Sequence, residues 1–406
     1  MYIELPPECH APSGHCGKLS FWLYGFRKAA VQWEQHYAAQ LEEVGFVRGL
    51  GCSVLFFHQE RDIALAVHGD DFIATGRDAD VEWFCEYIRK CFEVKVRAVL
   101  GEGDHYDKEV VMLGRTVKWV DGKGVDIVAD EKHRRTILEY FGFDGKTSAL
   151  TDNGELQKVH DEGDLGERLS SAGATAYRAL VARLNFLGQD SPDLQFPAKE
   201  LSRDMACPTV GSWGRLKKVA RFLVGRRCVV WHYRFQHVPS RLSVFVDSDW
   251  GGDRLSRKST SGGAICLGGH LLRTWSSTQS AIALSSAEAE FYALVDGALR
   301  AKWAQTVLSE LGWTESPVAE VASPAFELLT DSSAARSFVS RRGLGKMRHL
   351  EIRDLWLQRE VGQGKVIVSK VLGTENPADT MTKFMPWHAI ASRLARVNVS
   401  FDWVSG

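Results

Sequence analysis

Apolar positions recur along this chain with two periods. Residues 21–46 (FWLYGFRKAAVQWEQHYAAQLEEVGF) repeat at helical steps, which predicts a long amphipathic helix ending near Gly45. SVLFFHQ and DIALAVHGDDFIATG follow. The second reads as a hairpin, Ile63 to Val67, a tight turn through Gly69, Asp70 and Asp71, then Phe72 to Thr75. Residues 80–92 are helical again, 109–119 (EVVMLGRTVKW) read as one strand, and Asp121-Gly122 turns the chain into a second strand at 123–128. A polar, Gly-rich stretch at 145–170 reads as a loop or linker, and helices are predicted at 175–188 and 213–225.

A new pattern starts near residue 240. LSVFVDSDW is strand-like, and GGAICLGGHLLRTWS is a hairpin signal with Gly268-Gly269 at its turn. A helix over 286–311, a strand at FELLT, helices at 332–340 and 347–361, a strand at KVIVSKVL and a helix from Pro377 complete the pattern. Three strands followed by alternating helices and strands predict a mixed sheet with helices packed on it, in an α/β (α+β) chain.

Composition narrows the function classes. At 406 residues the chain is long enough for two or three domains. Apolar residues make up 45% and charged residues 25%, as in folded proteins and unlike disordered or fibrous ones. No apolar run reaches the roughly 18 residues a membrane helix needs, so no membrane partner is expected. The start lacks a secretory pattern. With eight scattered cysteines, an intracellular, reducing setting (cytoplasm or nucleus) is expected rather than a disulfide framework. The net charge of -1 excludes a basic coat, though not local basic patches.

Four carboxylates of the last third stand where chemistry is plausible: Asp247 at a strand end, Glu290 early in the long helix, Asp331 after FELLT and Asp379 at the start of the last helix. Strand ends and helix starts share an edge of such a layer, so these groups could converge. A hard divalent cation would then relieve their repulsion. Each also has a plain reading: Asp331 as a helix cap, Asp379 as a dipole partner behind the Asn376-Pro377 cap. Glu288 competes with Glu290, but Ser285-Ser286-Ala287-Glu288 fits a capping box and leaves Glu290 freer. Asp249 competes with Asp247, two residues on.

Residues 244–384 resemble the ribonuclease H domain of copia-type LTR retrotransposon Pol polyproteins, through VDSDWGGD, RKSTSGG, LSSAEAEFYAL, TDSSAA, RHLEIR and ENPADTMTK. The resemblance implies a mixed five-stranded sheet with helices. Its catalytic, metal-holding carboxylates fall on Asp247, Glu290, Asp331 and Asp379. It also implies two Mg²⁺ (or Mn²⁺) ions and cleavage of the RNA strand of an RNA–DNA hybrid. Arg348 and His349, in RHLEIR, are implied substrate contacts, with helix capping as the alternative for His349.

Upstream, YGFRKAAVQWEQHYAAQLEEVGF, VHGDDF, MLGRTVKW, KHRRTILEYFG, YRALVARLNFL and LSRDMACPTVGSWGRLKKVARFLVG resemble the palm and thumb region of the family's reverse transcriptase. Asp70 and Asp71 match its aspartate pair, and without the resemblance they read as a plain hairpin turn. His68 and Gly69 stand where the family usually has Tyr and Val. The family's third carboxylate lies upstream of the text matched here, so an incomplete polymerase is expected.

The implied organisation is a partial palm at 1–145, a linker and helical thumb or connection region at 146–238, a ribonuclease H-like domain at 239–390, and a tail at 391–406. Partners would be the hybrid, nucleic-acid backbone contacted by basic runs at 215–227 and 341–348, and other retroelement proteins. The alternative is an inactive or repurposed remnant that binds nucleic acid or a partner. Cys9, His10, His15 and Cys16 fit no closed zinc spacing and are read as chance. Trp213, Trp250 and Trp275 are read as core.

Overall fold

A computed structural model describes residues 2–23, 25–144, 147–150, 166–313, 326–344 and 355–403. The chain is mixed α/β with several sheets. It forms two compact units, Met1–Val96 with Trp303–Thr314, and Arg97–Lys302 with Glu315–Gly406. The first unit ends at Val96, inside the segment 1–145 that the resemblance implies.

In the first unit, β1 (Tyr2–Glu4) pairs with β2 (Cys16–Lys18). Helix α1 (Ala29–Glu43) is shorter than its sequence pattern, because Gly25 takes a φ of +90° that a helix cannot continue through. Strands β3 (Val47–Arg48), β4 (Leu55–His58), β5 (Ile63–His68) and β6 (Asp71–Thr75) form an antiparallel sheet in chain order, followed by α2 (Asp78–Cys91). Alternation along β5 buries Ile63, Leu65 and Val67 against Tyr37, Leu41, Phe84 and Ile88 of the helices.

The second unit opens with β7 (Glu109–Met112), β8 (Arg115–Val120) and β9 (Gly124–Ala129). The single strand expected over 109–119 is therefore two. Leu113 and Gly114 both take positive φ, as a primed hairpin turn requires. Next come α3 (Lys132–Tyr140), α4 (Ser171–Gly188), α5 (Pro192–Arg203) and α6 (Val210–Gly225), packed through Ile137, Tyr177, Leu184, Leu194, Leu216 and Phe222. Helix α5 was not expected; its two prolines hide it, Pro197 inside the helix and Pro192 at its permitted first position. Strand β10 (Arg226–Arg234) then pairs with β9. Arg226 donates two hydrogen bonds, of 2.9 and 3.1 Å, to the Asp193 carboxylate, and both groups are buried.

Strands β11 (Leu242–Ser248), β12 (Thr260–Leu267) and β13 (His270–Thr278) are antiparallel neighbours, with Gly268-Gly269 at the turn as expected. Helix α7 (Ser286–Glu310) follows, then β14 (Phe326–Thr330), α8 (Ser333–Val339), α9 (Trp356–Gly362) and β15 (Val366–Lys370). The sheet order is β13-β12-β11-β14-β15, with β14 parallel to both its neighbours. The helix expected from Pro377 is a five-residue 3-10 turn, Pro377–Met381, and the last α-helix is α10 (Trp387–Ala395). Of residues 391–406, expected as a tail, 391–403 contribute the end of α10 and strand β16 (Val399–Trp403). This strand pairs with β10 at the edge of the sheet β16-β10-β9-β8-β7.

Candidate metal centre

The centre begins with strand register. In the parallel pair, Phe245 of β11 lies beside Leu329 of β14. Two residues further along each strand direction stand Asp247 and Asp331, at the carboxyl ends, where parallel layers present functional groups. Val244 and Val246 are fully buried on the face that receives α7. Gly297 permits that approach, since a Cβ there would stand 2.5 Å from Val246 Cγ1. Glu290 lies two helical turns earlier on the same side of α7, so the close crossing carries it toward Asp247. Ligand oxygens of Asp247, Glu290 and Asp331 all lie within 4.8 Å of one another.

Local hydrogen bonds distinguish the competing residues. Glu288 is buried and occupied: it accepts from Leu284 N–H at 2.9 Å and from the Tyr292 hydroxyl at 3.1 Å, while its own N–H donates to Ser285 Oγ. The cap exists, reaching one residue further back than the sequence suggests. Asp249 accepts a hydrogen bond from the Thr260 N–H and stands among Lys199 and Glu200 instead of in the cluster. Asp331 is free of capping duty, because Ser332 is the cap of α8 and accepts from Ala335 N–H at 3.2 Å.

Asp379 lies outside the set whose oxygens are all within 4.8 Å of one another, yet its charge acts on Asp247. Its oxygens lie 3.0 Å from Lys383 Nζ and 3.4 Å from Arg393 Nη2, and Lys383 Nζ is also 3.6 Å from Asp247 Oδ2. The turn that carries Asp379 is fixed by Asn376. Its amide donates to Val246 O at 3.0 Å, and its Oδ1 accepts from Ala378 N–H at 3.1 Å. Thr382, at the end of the turn, donates to Asp247 Oδ2. Gly262, paired with Asp247 in the antiparallel ladder, makes room for this turn, as a Cβ there would stand 2.7 Å from Thr382 Cγ2. Asn376 was legible only as a cap. Thr382, Lys383, Gly262 and Gly297 were not singled out; the last two are glycines inside strong strand and helix patterns, which is the signal of close packing.

Electrostatics match the crowding. Burial, opposed by Lys383 and reinforced by Asp379 and Asp331, pushes the Asp247 carboxyl up to about 7. Burial and then the charges of Asp247 and Asp331 push Glu290 up to about 9. Glu290 Oε2 is buried with no hydrogen-bond partner. Three hard oxygen donors, one of them orphaned, fit a divalent cation such as Mg²⁺ or Mn²⁺.

The other expected residues lie elsewhere. Asp70 is exposed and Asp71 half-buried, on the β5–β6 turn, where Gly69 takes a φ of +63°. Trp33 Nε1 donates to Gly69 O at 2.7 Å. Among the described residues, no third ligand-type side chain joins the two aspartates in a comparable cluster, and none so joins Cys9, His10, His15 or Cys16. All eight cysteines are free thiols. Arg348 and His349 lie outside the described residues.

The basic run at 215–227 is neither a uniform solvated face nor a uniform phosphate track. Arg215 turns inward to Asp204 and Arg226 to Asp193, leaving Lys217 and Arg227 exposed. Trp275 is core, whereas Trp250 is 56% exposed with its N–H donated to Ala283 O. Among the described residues no helix is long and apolar enough to cross a membrane.

No family model matches the chain. The retrovirus-related Pol polyprotein from transposon RE2 of Arabidopsis thaliana is 27% identical over 395 residues, 94% of this chain and 25% of that protein. Its counterpart from transposon TNT 1-94 of Nicotiana tabacum is 23% identical over 409 residues, 95% of this chain and 28% of that protein. The chain thus spans about a quarter of the length of these curated relatives. Among solved structures, the N-terminal RNase H domain of a Mycobacterium tuberculosis protein, fused to maltose binding protein, is 13% identical. That likeness covers 39% of this chain and 96% of the other, at a TM-score of 0.21.

Proposed function

We propose, for a chain that belongs to the Pol polyproteins of copia-type retrotransposons, that its second unit is a ribonuclease H-like nuclease cutting the RNA strand of RNA–DNA hybrids. The observation that carries this reading is the convergence of Asp247, Glu290 and Asp331 at one end of a mixed sheet. When bound there, Mg²⁺ or Mn²⁺ would supply Lewis-acid stabilisation of phosphodiester charge and a more acidic water. The protein's own contribution is to hold the ligands. Asp247 and Asp331 are fixed by strand register, Glu290 by the close crossing of α7, and Asp247 is oriented by the Thr382 hydroxyl. Asp379, beside Lys383 and Arg393, we read as the fourth carboxylate of the site, joining when a cation competes for it.

Asp70 and Asp71 we read as the acidic pair of the polymerase region, which needs a further carboxylate to hold two cations. Arg348 and His349 are retained as proposed substrate contacts. The work belongs inside the cell, in cytoplasm or nucleus, on nucleic acid and alongside other proteins of the element. The test is cleavage of a labelled RNA–DNA hybrid with and without Mg²⁺. Mg²⁺-dependent cutting that disappears in Asp247→Asn supports the reading; equal cutting by both proteins, or none by a folded wild type, sinks it.

A further inference from the structure

A positive charge is already seated at the edge of the carboxylate cluster. Lys383 Nζ lies 3.0 Å from Asp379 Oδ1 and 3.6 Å from Asp247 Oδ2, one turn beyond Asp379. Its side chain is 45% exposed, whereas Asp247 and Asp379 are almost wholly buried. The charged end can therefore leave for solvent along its own flexible stem, while the carboxylates cannot. Thr382, its neighbour, already holds the same Asp247 oxygen, so removing the ammonium would not strip Asp247 Oδ2 of its hydrogen bond. Arg393, 3.4 Å from Asp379 Oδ2, is differently placed: it is mostly buried and also donates to Gly373 O at 3.1 Å, as a fixed structural group would. A mobile cation at the rim and a fixed one behind it have different uses.

We propose that Lys383 is a built-in counter-cation that a divalent ion must displace, so that it sets the affinity of the centre. This deepens the nuclease reading and rests on the cluster being a cation site. Without a divalent ion, Lys383 offsets some of the repulsion between Asp247 and Asp379. As the ion binds, the two positive charges compete for the same oxygens, and Lys383 swings outward. The lysine thereby trades metal affinity for stability of the metal-free fold. Glu290, whose buried Oε2 has no hydrogen-bond partner, is where the ion gains most.

The test measures binding of Mn²⁺ by electron paramagnetic resonance, together with thermal melting, on the full 406-residue chain. Glu290→Gln identifies the site: if it leaves Mn²⁺ binding unchanged, the cluster is not where the ion sits, and the nuclease reading falls with it. With that control passed, Lys383→Met is expected to bind Mn²⁺ roughly tenfold more tightly, which corresponds to about 1.4 kcal/mol. Lys383→Arg, which keeps the charge, should stay within about twofold of wild type on the same scale. Without cation, Lys383→Met should melt below wild type, and the gap should close as Mn²⁺ is added. Unchanged or weaker binding in Lys383→Met overturns the proposal while leaving the nuclease reading intact; that pattern would assign Lys383 to substrate phosphate instead. Tighter binding in both lysine variants also overturns it, since charge would then not be the cause.

Discussion

Asp70 and Asp71 stand on a hairpin turn, in water or half out of it. Asp247, Glu290 and Asp331 stand at the ends of buried elements that three separate packing contacts press together. Both groups are pairs or trios of acids in distinctive sequence motifs. What separates them is where the neighbouring chain goes. The β5–β6 turn needs only two residues, one of them a permissive glycine. The second group needs a parallel register, a helix crossing at Gly297 and a turn docked against Gly262. Acids gain unusual chemistry when long-range packing removes their water, whatever the local motif.

Breaking the second group should have the largest effect. Asp247→Asn should lower hybrid cleavage by more than the roughly 10- to 100-fold typical of losing an outer partner of a metal ligand. Asp70→Asn with Asp71→Asn should leave that cleavage unchanged, and an equal loss from both sets would erase the contrast. Thr382→Val should cost roughly 10-fold in cleavage by freeing Asp247 to rotate, with the fold retained by circular dichroism.

A pH series sharpens the same contrast. In metal-free protein, Asp247 and Glu290 hold protons in the folded state that the unfolded chain, with ordinary values of 3.8 and 4.5, has already released. The folded state binds more protons, so stability falls as pH rises, from about 4 until the groups ionise near about 7 and about 9. Melting in EDTA should drop across that window, and Glu290→Gln should flatten the drop. The smallest effect is expected at the hairpin. Gly69→Ala meets no atom within 4 Å and carries only the left-handed backbone cost, about 1 kcal/mol, with cleavage unaltered; urea melts would detect it.

Much of this was legible in the chain. The Gly268-Gly269 turn, the Gly69-centred hairpin and the strand-end positions of Asp247 and Asp331 follow from period-two patterns and turn residues. The Glu288 cap could be read from four letters, and so separated from Glu290. What could not be read was set by distant partners. Helix α5 hides behind its prolines, and β10 and β16 define each other only when brought together. Arg215 and Arg226 look like solvated charges until Asp204 and Asp193 arrive from an earlier helix region. Lys383 looks like an ordinary last residue of a motif, because nothing local says that Asp247 will be beside it.

The β10–β16 pairing bears on how the protein is made. His232 and Ser400 are hydrogen-bonded at 2.7 Å although 168 residues separate them. At roughly 5–20 residues per second, β10 leaves the ribosome on the order of ten seconds or more before its edge partner exists. Through that interval its outer row of N–H and C=O groups is open to any strand it meets, its own kind included. The sheet is thus finished late in synthesis, and slow or interrupted translation should raise aggregation; nascent chains arrested before residue 399 would reveal it as rapid hydrogen exchange at β10 amides that the 406-residue chain protects.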